Sequence, residues 1–201
     1  ANALPVYRHM EFVRQCLFPD MDVQLISTTE AWAQYAVAGP NSRALLQKIV
    51  DAEFDISNEA LPHMSFVEGK LGAYPVRVYR ISFSGELSFE LRVPANRGRE
   101  MWDAILTAGA PHGVGPYGTE AMHIMRAEKG FIMIGDETDG TVIPQDLGLS
   151  WAISKKKEDF LGKRAQQRSF MDNPDRWQLV GLETLDGSVL EDGAYAITEG
   201  T

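Results

Sequence analysis

Residues 80–91 read R-I-S-F-S-G-E-L-S-F-E-L, two β-prone runs split by Ser84-Gly85, and the reading of that split decides the fold. A two-residue turn at this point predicts an antiparallel hairpin over Val76–Phe83 and Glu86–Val93, stopped by Pro94. It pairs Phe83 with Glu86, Ile81 with Ser88 and Tyr79 with Glu90, so these six side chains share a face. Val78, Ser82, Leu87, Phe89 and Leu91 line the other. The apolar stripe of Leu87, Phe89 and Leu91 is expected to face a core, which leaves two carboxylates among aromatics on the opposite side. Two readings of that side stay open at this level. It is either the wetted face of an antiparallel sheet, or a ligand face on which Glu90 accepts hydrogen bonds from a flat heterocycle packed on Phe83 or Tyr79.

Upstream of the hairpin, Val6, Met10, Val13 and Leu17 recur at helical spacing, with Pro5 in the first turn and Pro19-Asp20 as the stop. Cys16, on the apolar side of that helix, reads as an inert core thiol. Val23–Ser27 and Trp32–Ala38 are expected as strands, Gly39-Pro40 as the start of a helix burying Leu45, Leu46, Ile49 and Val50, and 51–65 as irregular. Downstream, Asn96 caps a helix with Met101, Trp102, Ile105 and Leu106 inward, and Gly109 occupies its left-handed C-terminal cap. A helix over Thr119–Lys129 closes at Gly130, and the acidic, turn-rich Gly135–Gly148 forms a structured loop whose spacing is not that of a calcium-binding EF-hand.

A further helix is expected from about Asp159 to Phe170, then a polar boundary at Met171–Arg176 and a β-rich segment from Gln178–Thr184, with Gly193–Ile197 extended. Strands and helices segregate, which favours an α+β fold. The domain reading is residues 1–172 followed by the opening of a second, β-rich domain at 173–201.

The 201 residues are 44% hydrophobic and carry a formal charge of −9, which argues against nucleic acid as the main partner. Six of the nineteen Lys and Arg side chains lie in 154–168, a run that is most simply a solvated surface. No apolar stretch approaches bilayer length and no signal peptide is seen at the start, so a cytoplasmic setting without a membrane is expected. One cysteine and four scattered histidines give neither a disulfide framework nor a thiolate metal site. Phosphate-loop, zinc-protease and nucleophile-elbow signatures are missing. A start without methionine and an end within a strand-and-turn region read as a piece of a longer chain.

Four stretches, A-V-A-G-P-N-S-R (36–43), F-S-G-E-L-S-F-E-L (83–91), G-T-E-A-M-H-I-M-R-A-E-K-G (118–130) and G-D-E-T-D-G-T-V-I-P-Q-D-L-G-L-S-W (135–151), resemble the aminomethyltransferase, or glycine-cleavage T-protein, superfamily. The last two, with D-F-L-G-K-R (159–164), resemble its heterotetrameric sarcosine oxidase α-subunit branch. The resemblance implies a partial aminomethyltransferase folate-binding fold, followed by the start of a C-terminal β-barrel-like domain. It also implies a tetrahydrofolate cofactor that accepts the one-carbon unit from oxidative demethylation of sarcosine, with glycine, methylenetetrahydrofolate and hydrogen peroxide as products. Flavin and NAD are then expected elsewhere in a complex with the other sarcosine oxidase subunits. Alternatives within the superfamily are a dimethylglycine-oxidase-type or T-protein-like domain, or an assembly module of the same fold without folate turnover.

Carried over by position, the resemblance makes Glu90 the pterin ligand, with Phe83 in the place of the family's tyrosine and Tyr79 beside them. Met122 stands where the T-protein has an arginine that helps hold folate, and Arg126, one turn on, or Lys155–Lys157 are the candidates for the glutamyl tail. The family's catalytic aspartate belongs to a part of the fold ahead of Ala1, so no catalytic residue is assigned and the piece alone is expected to be inactive.

Overall fold

Strand Ser88–Pro94, S-F-E-L-R-V-P, alternates strictly, and Phe89, Leu91 and Val93 are fully buried while Glu90 and Arg92 are half-buried on its other face. It is the inner strand from which the rest is placed. The computed structural model describes residues 2–51, 54–191, 193–195 and 197. They form two compact units, one up to Phe131 and one from Ile132.

In the first unit, β1 (Trp32–Ala38), β2 (Phe66–Leu71), β3 (Tyr74–Tyr79) and β4 (Ser88–Pro94) form an antiparallel sheet in the order β1-β4-β3-β2. Helices α1 (Ala3–Phe12), α2 (Ser42–Leu46), α3 (Gly98–Gly109) and α4 (Thr119–Glu128) complete it. Leu45 and Leu46 of α2, and Met101 and Ile105 of α3, join Val37, Val76, Val78, Phe89, Leu91 and Val93 in the core. The α+β reading stands, with an antiparallel sheet at its centre.

The hairpin keeps its expected register but not its tight turn. Tyr79 pairs with Glu90, Val78 with Leu91 and Arg77 with Arg92, and the β3–β4 ladder ends there. Both sides of the opened loop are held by other elements: the Arg80 N–H donates to Ser65 O at 2.8 Å, and Leu87 O accepts from Gly39 N at 2.8 Å and Ser42 Oγ at 3.0 Å. The expected pairs Phe83–Glu86 and Ile81–Ser88 are therefore absent from the ladder. Glu86, rather than standing alone in solvent, pairs with Lys129 at 3.3 Å.

Other differences have equally local causes. Strand β2 escapes the sequence reading because Gly69 and two charges interrupt its pattern; Gly69 is needed because a Cβ there would lie 2.2 Å from the Phe54 ring. Val23–Ser27 forms no strand. Helix α1 runs into a π-helical turn, Val13–Leu17, closed by Phe18 N donating to Val13 O at 2.9 Å. Cys16 lies within that turn and is exposed, not a core thiol, as are Val6, Met10 and Leu17 of the apolar stripe. Periodicity gave the helix its apolar side without naming a cover: α1 buries no residue.

Gly109 is not the left-handed cap either. Its φ of −84° is helical, the chain continues through Ala110–His112, and Gly113 at φ 70° takes the left-handed position. Gly109 is instead a contact point, where a Cβ would meet Val114 at 2.5 Å and Leu45 at 2.6 Å. Gly109→Val is expected to cost about 1–3 kcal/mol by overpacking, measured by urea denaturation; a variant as stable as the parent would mean that Val114 and Leu45 yield freely.

In the second unit the expected helix from Asp159 contracts to α5 (Lys163–Gln166), because Gly162 at φ 96° cannot lie inside an α-helix. The unit centres on Asp146. Its carboxylate accepts from Arg176 Nε at 2.9 Å, from Arg176 Nη2, and from Ile143 N at 3.0 Å, while Arg176 Nη1 donates to Phe170 O at 2.9 Å. The Arg176 hydrogen bonds hold the Asp146 carboxyl below the ordinary carboxylate range. A lowered folded-state pKa contributes stability above the unfolded value and loses it as pH falls through the folded one. Asp146→Asn is therefore expected to lower the denaturation midpoint at neutral pH, with the gap to the parent narrowing in strong acid. A pH-independent gap would discard the ion pair as its cause.

Residues 178–184 carry no ladder among the described residues, and part of the Gly193–Ile197 segment lies outside them. No described helix is long and apolar enough to cross a membrane.

Candidate functional site

Alternation along β4 sends Glu90 and Arg92 to the sheet face opposite the core, beside Tyr79 of β3 and Gln34 of β1. Gln34 lies across from Arg92 in the ladder and diagonally from Glu90, within reach of both. Gln34 Nε2 donates to Glu90 Oε2 at 2.7 Å, and Arg92 Nε donates to Gln34 Oε1 at 2.8 Å. The Arg92 guanidinium also lies 4.4 Å from the Tyr79 ring centroid and donates to its hydroxyl at 3.4 Å. Tyr79 in turn stacks on Phe66, with centroids 5.3 Å apart and planes at 18°. The face is thus a continuous run of aromatic and polar side chains ending on one carboxylate.

Burial pushes the Glu90 carboxyl above its ordinary value, and the positive charge of Arg92 opposes that rise. Tyr117, in the segment before α4, is also pushed up, first by burial and then by the negative charge of Glu90. Tyr117 and Gln34 line a cavity of about 590 Å³ that also takes in Trp102, Ile105, His112 and Met122. Its wall is mostly apolar with a few polar groups, the character of a site for a flat organic ligand. A half-buried carboxylate beside aromatic rings and a cavity can accept two hydrogen bonds from adjacent ring donors. Among the described residues no group of three or more His, Cys, Asp or Glu side chains is placed to hold a metal ion.

The residues singled out from sequence fall into distinct settings. Glu90 and Tyr79 are brought together as register partners. Phe83, 42% exposed in the opened loop, tilts against His123 with centroids 6.3 Å apart. Met122 lines the cavity wall. Arg126 is buried and donates to Phe131 O at 3.2 Å, which fastens the end of α4 to the following turn. Gln34, Arg92 and Tyr117 were missed. Gln34 and Arg92 do alternate with core residues in their own strands, but their meeting depends on β1 pairing with β4, a contact between distant parts of the chain.

Residues 1–157 match the family described as the GCVT N-terminal domain. The chain belongs to that family. The chain is 48% identical over 188 residues to a sarcosine oxidase subunit alpha of Rhizobium meliloti (strain 1021), covering 92% of this chain and 19% of the relative. It is 45% identical over 198 residues to the subunit alpha of Corynebacterium sp. (strain U-96), covering 98% and 20%. An aminomethyltransferase of Clostridium botulinum (strain Kyoto / Type A2) is 33% identical over 183 residues, covering 90% of this chain and 48% of the relative. The GCVT chain therefore spans about a fifth of its sarcosine oxidase relatives and about half of the aminomethyltransferase.

Proposed function

We propose that the chain is the tetrahydrofolate-binding part of a sarcosine oxidase α-subunit-type enzyme. In this reading it accepts the one-carbon unit from oxidative demethylation of sarcosine, in an assembly with other subunits, the flavin and NAD lying elsewhere in the full complex. Glycine, methylenetetrahydrofolate and hydrogen peroxide are the products. The observation that carries the reading is Glu90, a half-buried carboxylate held by Gln34 at 2.7 Å at the end of an aromatic run. The 48% and 45% identities to two sarcosine oxidase alpha subunits support the branch.

The donor set fits a pterin. Its ring amide and amino group present two adjacent donors, which one carboxylate accepts together, and Glu90 retains acceptor capacity beyond its bond to Gln34. Phe83 and Tyr117 supply exposed aromatic surface of the kind that packs on a flat ring. Bound tetrahydrofolate supplies the nucleophilic amines that capture a one-carbon unit. The chain's own residues bind and orient it: Glu90 fixes the pterin edge, and the apolar wall with Met122 excludes water. In the same reading, residues 173–201 open a β-rich domain, supported by the exposed apolar Leu179, Val180 and Leu182, which await a cover.

Calorimetric titration of the chain with tetrahydrofolate, beside Glu90→Ala, tests the assignment. Heat of binding in the parent and its loss in the variant are expected, and equal heats would remove Glu90 from the site.

A further inference from the structure

The Gln34 amide is fixed at both ends. Arg92 Nε donates to its Oε1 at 2.8 Å while its Nε2 donates to Glu90 Oε2 at 2.7 Å. Turning the amide over would set an oxygen against the carboxylate and an NH₂ group against the guanidinium, both repulsive. Arg92, always charged, therefore dictates which way Gln34 points. Arg92 is itself seated on Tyr79 by ring contact and hydrogen bond, so the orientation is traced back to β3.

We propose that Gln34 is the positioning residue for Glu90, an uncharged link that transmits the fixed orientation of Arg92 to the carboxylate and leaves its remaining acceptor positions to a ligand carrying paired N–H donors. The role rests on the tetrahydrofolate reading for the identity of that ligand, but not for the link itself. A neutral amide suits the place. It donates to the carboxylate without competing for the ligand as a full counter-ion would, and it shares the cavity wall with Tyr117. The ionisable groups facing Glu90 are Arg92 on its own strand, Tyr79 across on β3 and Tyr117 before α4, while its ladder partner on β1 is the uncharged Ala36.

Gln34 is exposed, so its substitution is compatible with folding. The test uses Gln34→Leu and Gln34→Glu in the full chain, with two readouts. In the ligand-free protein, the side-chain carboxyl carbon of Glu90 is followed by NMR through an acid titration. Loss of the donor in Gln34→Leu is expected to move the Glu90 titration to higher pH, and the like charge in Gln34→Glu to move it further. With tetrahydrofolate as the probe, Gln34→Leu is expected to weaken binding about fivefold at neutral pH, with the acid limb of the binding profile shifted the same way. A Glu90 titration unchanged in both variants would overturn the positioning role. Failure of the parent chain to bind tetrahydrofolate would instead count against the folate reading, and the NMR titration would still decide the role of Gln34.

Discussion

Phe89→Ala is expected to lower the stability of the chain by about 3–5 kcal/mol, measured as a fall in the urea midpoint at constant slope. The ring is fully buried near the start of β4 and is among the largest such side chains in the described core. Two guanidiniums converge on it, Arg43 at 5.0 Å and Arg80 at 5.1 Å from the ring centroid. Arg80 donates to Ser88 O at 3.3 Å, its Nε is buried without a hydrogen-bond partner, and burial followed by the charge of Arg43 lowers its pKa. Removing the ring therefore leaves a cavity and also takes away the π-face against which two like charges are packed. Phe89→Leu separates these effects, because it keeps most of the apolar volume and loses only the face. It is expected to cost clearly less than alanine, and equal costs would mean that the arginines, not the volume, dominate.

Phe89 also marks what the sequence could disclose. Alternation in S-F-E-L-R-V assigned Phe89 and Leu91 to the core and Glu90 to the opposite face, since a two-residue period needs only the strand itself. The register of Tyr79 against Glu90 agrees with the pairing expected from Ser84-Gly85, although the tight turn that suggested it does not form. What failed were features set by distant contacts. The loop at 80–87 opens because Ser65, Gly39 and Ser42 capture its backbone groups, and none of these lies within the hairpin. Gly109 looked like a cap because glycine after a helical pattern usually is one, whereas close approach of Val114 and Leu45 explains it here. The site divides in the same way: Glu90 was visible from its strand, while Gln34 became visible only once β1 was placed against β4.

Glu90 carries the largest expected functional effect. Its replacement by glutamine is expected to weaken tetrahydrofolate binding about 100-fold at neutral pH, the loss of a charge-assisted pair of hydrogen bonds. The pH profile adds a sign that mere disruption would not reproduce. Burial raises the carboxyl's pKa above its ordinary value, so binding by the charged form is expected to be lost as pH falls through that raised value. Glu90→Gln has no such group, and its weak binding is expected to stay flat through the same range. Stability moves the other way. A raised folded-state pKa favours the fold below the unfolded value and loses that contribution as pH rises through the folded one, so the charged Glu90 burdens the fold at neutral pH. Glu90→Gln is accordingly expected to be no less stable than the parent at neutral pH while binding far more weakly. A variant that loses stability and affinity together would make Glu90 a structural residue of the sheet face, and a parent profile without an acid limb would mean that its charge is not what the ligand recognises.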